Sequence, residues 1–132
     1  MHIDHIGIAV RDLDKAIATY EKILNKKLSK TERVESEKVE TAFFETGESK
    51  VELLGPTTPD SVIQKFVDKK GEGIHHVAFE VDDIHSEMKR LKDEGFTLLN
   101  EQPKQGADNK LVAFLHPKGN HGVLVELCQS QS

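Results

Sequence analysis

The chain opens with apolar and polar positions that alternate with a period of two and then change to a helical period. Across residues 3–10, His5 and Ala9 fall on one face of an extended segment and larger apolar side chains fall on the other. Apolar residues then recur at helical spacing over residues 13–24, directly after a possible capping residue, Asp12. This opening predicts a strand followed by an amphipathic helix.

The same order of patterns recurs in the second half of the chain. A strand pattern covers residues 75–81, and a helical pattern capped by Asp83 runs from Ile84 and stops at Gly95. A short helix is predicted around residues 62–67, between the two halves. Further strands are predicted near residues 28–34, 39–46, 50–54, 97–101, 110–115 and 122–128. The pattern therefore predicts an α+β protein built from two β-α-β-β-β modules.

We expect these modules to form a single domain over residues 1–132. The first module is predicted at 2–56, the connecting helix and linker at 57–73, and the second module at 74–129. A module of about 65 residues buries too little apolar surface to be stable alone, so the two should share a core or a sheet.

Composition excludes several classes of protein. The formal net charge of −5 argues against non-specific binding to nucleic acid, and the absence of a long apolar run argues against a membrane span. A single cysteine, Cys128, excludes an internal disulfide framework and fits a reducing compartment. The strand pattern begins at His2, so we expect no signal peptide and a cytoplasmic location.

The duplication places four possible metal ligands at matched positions. His5 and His76 each lie near the start of a module's first strand, and Glu52 and Glu126 each lie on its last strand. Taken singly, each histidine could be a hydrogen-bonded structural residue and each glutamate a solvated strand charge. Two imidazoles and two carboxylates together suit Co²⁺, Ni²⁺, Mn²⁺ or Zn²⁺. The matched positions favour a divalent metal site.

Glu40 is a further carboxylate with two interpretations. It shares a strand face with Ala42, so it could be a solvated charge at a strand end or a general base facing the metal site. Abstraction of a proton beside a carbonyl needs a positioned carboxylate and an electrophile for the developing enolate.

These motifs resemble the vicinal oxygen chelate superfamily, which includes glyoxalase I and ring-cleaving dioxygenases, and within it the methylmalonyl-CoA epimerases. The resemblance covers residues 2–129. The segments that carry it are residues 4–10, 73–84, 101–106, 116–118 and 122–127. The double histidine before Asp82-Asp83 and the His116-Pro117-Lys118 segment separate the chain from glyoxalase I.

The resemblance implies paired β-α-β-β-β modules that form a cupped mixed sheet around a divalent metal. It implies that His5, Glu52, His76 and Glu126 are the ligands, although some members have Gln where this chain has Glu52. It also matches Glu40 to a catalytic base, with Glu126 acting as both ligand and second carboxylate.

The implied activity is exchange of (2R)- and (2S)-methylmalonyl-CoA through an enolate. The implied partner is an acyl-CoA, whose phosphates Lys104, Lys110 and Lys118 could bind, and we expect a homodimer. Two alternatives stay open on the same fold: lactoylglutathione lyase (glyoxalase I), which has a similar ligand set, and a non-catalytic resistance protein that binds a small molecule. Glu40 distinguishes the enzyme from the resistance protein, because a protein that only binds its ligand needs no catalytic base.

Overall fold

The computed structural model describes residues 1–132 as eight strands and three α-helices. In chain order these are β1 (His2–Ala9), α1 (Leu13–Leu24), β2 (Lys30–Val34), β3 (Val39–Thr46), β4 (Ser49–Pro56), α2 (Val62–Lys70), β5 (Gly73–Glu80), α3 (Ile84–Asp93), β6 (Lys104–Gln105), β7 (Lys110–Leu115) and β8 (Val125–Ser130). Short 3₁₀ turns follow β2 and β7. The predicted β-α-β-β-β order of each half is confirmed.

One predicted strand is wrong. Residues 97–101 form only an isolated bridge, between Leu98 and Leu115, and the short β6 lies instead inside the segment predicted as a polar loop. The side-chain oxygen of Asn100 accepts the backbone N–H of Phe114 at 2.9 Å. A side chain thus takes a donor that a regular ladder would use, and the ladder stops.

The two long helices begin where their aspartates predict. The carboxylate of Asp12 accepts the backbone N–H of Lys15, and that of Asp83 accepts the N–H of Ser86. Each aspartate satisfies a donor that the first helical turn would otherwise leave unpaired. The first helix ends at Asn25, whose φ of 53° is left-handed.

The chain divides into two compact units, one of residues 6–75 and one of residues 1–5 with 76–132. In residues 6–75, β3 pairs antiparallel with both β2 and β4. Helix α1 packs on the face of this ladder that carries Ala42, Phe44 and Leu53. Helix α2 packs beside the other face, through Ile63 and Val67.

In residues 1–5 with 76–132, β8 lies parallel to β5 and antiparallel to β7. Helix α3 buries Ile84, Met88 and Leu91 against one face of these strands. The register opposes Ala78 and Phe114 to Glu126, so these residues share the other face with His76. That second face carries the candidate site.

None of the three helices combines the length and the apolar character that a bilayer span requires.

Candidate metal centre

Three of the four predicted ligands meet within the unit of residues 1–5 and 76–132. The Nε2 atoms of His5 and His76 lie 3.0 Å apart. The Oε1 atom of Glu126 lies 3.1 Å from Nε2 of His76 and 3.7 Å from Nε2 of His5. All three side chains are buried. The structure therefore brings together two imidazoles and a carboxylate from β1, β5 and β8.

The separations of these donor atoms fit a common divalent ion. Two ligands bound at about 2.0–2.1 Å lie about 2.9 Å apart at a right angle and about 3.4 Å apart at the tetrahedral angle. The observed distances of 3.0 and 3.1 Å lie within this range, and the third, 3.7 Å between His5 and Glu126, is about 0.3 Å longer than its upper limit. Two ring nitrogens 3.0 Å apart also require a proton or a cation between them. The donor chemistry and the spacing both fit a metal.

The charge of Glu126 suits the same role. Burial alone would raise the pKa of this carboxyl, but hydrogen bonds and electrostatic attraction from His5 and His76 lower the pKa to about 2. Glu126 is therefore ionised at neutral pH, as a metal ligand must be.

The ring of His5 forms a hydrogen bond with the side chain of Asp4, the preceding residue. Its Nδ1 atom lies 2.7 Å from Oδ2 of Asp4, which is itself buried. A carboxylate that accepts the Nδ1–H leaves the lone pair of the ring on Nε2, the atom that faces His76 and Glu126. No pattern in the sequence distinguished Asp4 as a site residue, although it directly precedes His5.

Glu52 is a buried carboxylate on β4, in the unit of residues 6–75. It stands opposite Phe43 in the β3–β4 register and so shares a face with Phe43 and the buried hydroxyl of Thr41. Its role as a fourth ligand stays a prediction from the repeat.

The predicted role of Glu40 as a general base stays a prediction, and the register shows on which face of the ladder its side chain lies. Glu40 lies three positions from Phe43 on the same strand, so it projects from the face opposite Glu52, on the side covered by α1. It pairs there with Arg33, at 2.9 Å between Nη2 and Oε1. The two side chains line a polar cavity of about 520 Å³ beside the start of α1. Ala42 shares this helix-covered face with Glu40 and is itself fully buried.

The three candidate lysines lie in different environments. Lys104 and Lys118 are exposed. The ammonium of Lys104 lies 6.0 Å from the ring centroid of Phe114, which packs edge-on against His76. Lys110 is instead only 7% exposed, and its ammonium contacts the carboxylates of Asp4 and Glu80. Nothing near Lys110 in the sequence indicates this burial, because its acidic partners lie 30 and 106 positions away along the chain.

His75, which precedes His76 in the sequence, packs against a phenylalanine. The ring of His75 meets the ring of Phe66 on α2 edge-on, with 4.9 Å between the ring centroids.

The chain is similar to known proteins of one superfamily. Residues 4–114 match the family model of the Glyoxalase/Bleomycin resistance protein/Dioxygenase superfamily. The chain is 42% identical to the uncharacterized protein YqjC of Bacillus subtilis, over 96% of this chain and 91% of that protein. It is 43% identical to the mitochondrial methylmalonyl-CoA epimerase of Homo sapiens, over 97% of this chain and 73% of that protein.

A solved structure gives the same result for the fold. A variant of Streptomyces coelicolor methylmalonyl-CoA epimerase, in complex with 2-nitronate-propionyl-CoA, superposes with a TM-score of 0.95 at 37% identity. The match covers 100% of this chain and 96% of that one. The predicted α+β class and the vicinal oxygen chelate fold are confirmed.

Proposed function

Because the chain belongs to the glyoxalase/bleomycin resistance protein/dioxygenase superfamily, we propose that it is a metal-dependent epimerase of methylmalonyl-CoA. The relatives at about 40% identity that carry an activity in their names are epimerases of this substrate, which supports the same reaction here. The observation that carries the proposal is the set of facing donor atoms of His5, His76 and Glu126.

The proposed ligands are these three residues together with Glu52. A bound divalent ion would supply positive charge beside the thioester and carboxylate oxygens of the substrate, which stabilises the enolate formed when the carbon between them loses its proton. Co²⁺, Ni²⁺, Mn²⁺ and Zn²⁺ are all compatible with two imidazoles and carboxylates. His5 and His76 would act as neutral ligands through Nε2.

The proposed base is Glu126, a carboxylate on the face that carries the ligands. Glu126 is ionised at neutral pH and lies next to both imidazoles, so it can accept a proton from a substrate that is held over the site. Inversion also needs a proton delivered to the opposite face of the enolate, and we propose that this proton comes from solvent, because Glu40 projects from the opposite face of its ladder to Glu52.

Recognition of the CoA moiety would use exposed cations. Lys104 and Lys118 keep their amino groups at the surface, where phosphate groups can reach them. Lys104 also lies over Phe114, beside His76, which gives a cation close to the ligand-bearing face. We further propose that the protein works as a homodimer in the cytoplasm.

The reaction can be tested by exchange of the proton at carbon 2 of methylmalonyl-CoA in deuterated water, followed by NMR. We expect exchange that a chelator abolishes and that Co²⁺ restores. The matched assay uses the hemithioacetal of methylglyoxal and glutathione. Efficient formation of S-lactoylglutathione without exchange of methylmalonyl-CoA would favour glyoxalase I instead, and tight binding without turnover of either would favour a resistance protein.

A further inference from the structure

We infer that Lys110 and Asp4 are positioning residues that fix the ring of His5 for metal binding, an inference that rests on the proposed metal site. The ammonium of Lys110 lies 3.0 Å from Oδ1 of Asp4, and the other oxygen of Asp4 lies 2.7 Å from Nδ1 of His5. A chain of contacts therefore runs from a lysine on β7 to a candidate ligand on β1.

The surroundings of Lys110 hold its ammonium in one place. Its three N–H donors have three acceptors within reach: Asp4 at 3.0 Å, Glu80 at 3.2 Å and the hydroxyl of Ser130 at 3.2 Å. Glu80 is fixed in turn, because it accepts both the hydroxyl and the backbone N–H of Ser130. A lysine whose three donors are all used has little freedom to move.

The burial of this cluster separates it from a surface ion pair. Lys110 is 7% exposed and Asp4 is 5% exposed. Buried charges are costly unless they are paired and hydrogen-bonded, and exposed pairs contribute little. The same burial removes Lys110 from the group of cations that a CoA phosphate could reach.

The register places this cluster beside the metal ligands. Lys110 stands opposite Ser130 on the β7–β8 ladder, and Glu80 stands opposite Cys128 on the β5–β8 ladder. Ser130 lies four positions after Glu126 on β8, so alternation puts both on the face that carries His76. Lys110 therefore lies on the same face of the strands as His76 and Glu126.

The effect expected on the metal follows from the orientation of one ring. With Asp4 held by Lys110, the carboxylate accepts the Nδ1–H of His5 and leaves Nε2 as the donor atom toward the metal. Loss of an outer partner of a histidine ligand typically weakens metal binding by about 10–100-fold. A purely structural salt bridge would change the stability of the protein and leave the ring of His5 unchanged.

The test uses Lys110→Met, which removes the ammonium and keeps an unbranched side chain. Co²⁺ affinity of the folded protein is measured by titration calorimetry, and the ring nitrogens of His5 are followed by ¹⁵N NMR before metal is added. We expect Co²⁺ binding about 10–100-fold weaker than wild type, with ¹⁵N shifts that report loss of the single Nδ1–H form. Asp4→Asn, which keeps size and removes the charge, should weaken binding in the same direction if Lys110→Met does not fold.

Lys89→Met is the matched control, because this lysine also pairs with an aspartate but is exposed on α3, which packs on the other face of the strands. It should bind Co²⁺ like the wild type. Wild-type Co²⁺ affinity and wild-type His5 shifts in both Lys110→Met and Asp4→Asn would overturn the inference. Failure of the proposed epimerase reaction would look different, because wild-type protein would then bind Co²⁺ without exchanging the substrate proton.

Discussion

Replacement of Glu40 by glutamine tests whether Glu40 removes the substrate proton, as the sequence predicts. A general base contributes about 10²–10⁴-fold to the rate, so Glu40→Gln would cause a loss of that size if Glu40 removed the substrate proton. The structure places Glu40 on the side of the ladder covered by α1, opposite Glu52. We therefore expect proton exchange to stay within about two- to threefold of wild type, far below the loss of a general base.

The expected change in stability follows from the partner of Glu40. Arg33 reaches Oε1 of Glu40 through Nη2 at 2.9 Å and through Nε at 3.3 Å. The two side chains are 54% and 31% exposed, and pairs this exposed contribute about 0.2–1 kcal/mol. Glutamine keeps one oxygen that can accept a hydrogen bond from Arg33. Glu40→Gln should therefore lower the melting temperature by no more than about 5 °C.

The assay compares Glu40→Gln with Glu126→Gln under identical conditions. Exchange of the carbon-2 proton of methylmalonyl-CoA is followed by NMR, and Co²⁺ content is measured for each variant. Glu126→Gln should lose both metal affinity and exchange, because it changes a buried carboxylate next to both imidazoles. A loss of a hundredfold or more in Glu40→Gln, at wild-type Co²⁺ content, would refute the face assignment and restore Glu40 as a base.

Three further predictions concern the metal, the pH dependence and the core. Chelation should abolish isotope exchange and added Co²⁺ should restore it, whereas full activity in verified metal-free protein would reject the proposed mechanism. Burial acts to raise the pKa of Glu80, but hydrogen bonds from Ser130 and the charge of Lys110 lower it overall. The stabilisation from Glu80 is therefore present at neutral pH and lost as the pH falls below the usual value for a glutamate, so urea unfolding of Glu80→Gln should vary less between pH 7 and pH 3 than that of wild type. Ile84→Ala should lower the free energy of unfolding by about 2–5 kcal/mol, because Ile84, the first residue of α3, is fully buried against the strands. A change below about 1 kcal/mol in urea titrations would show that the core collapses around the smaller side chain.

The local elements could be predicted from the sequence because their signals are short in range. Asp12 and Asp83 cap helices through a donor only three residues away, so the start of each helix is visible in the chain itself. Alternation likewise identified most strands, and it failed at residues 97–101, where the side chain of Asn100 replaces a ladder bond. The internal repeat also matched His5 with His76 and Glu52 with Glu126, and three of these four residues, His5, His76 and Glu126, meet in the structure.

What only the tertiary structure decided is which side of a strand a residue faces and which distant charges meet. Alternation puts Glu40 and Ala42 on one face, but only the β3–β4 register shows that Glu52 lies on the other face, and only the packing of α1 shows which face is covered. Lys110 looks like any other polar residue in the sequence, because Asp4 lies 106 positions away from it along the chain. Folding buries that lysine among acidic partners, which removes its ammonium from the surface where a phosphate could reach it. A sequence records the spacing of residues along the chain, whereas the energies of buried charges depend on neighbours that only the folded chain brings together.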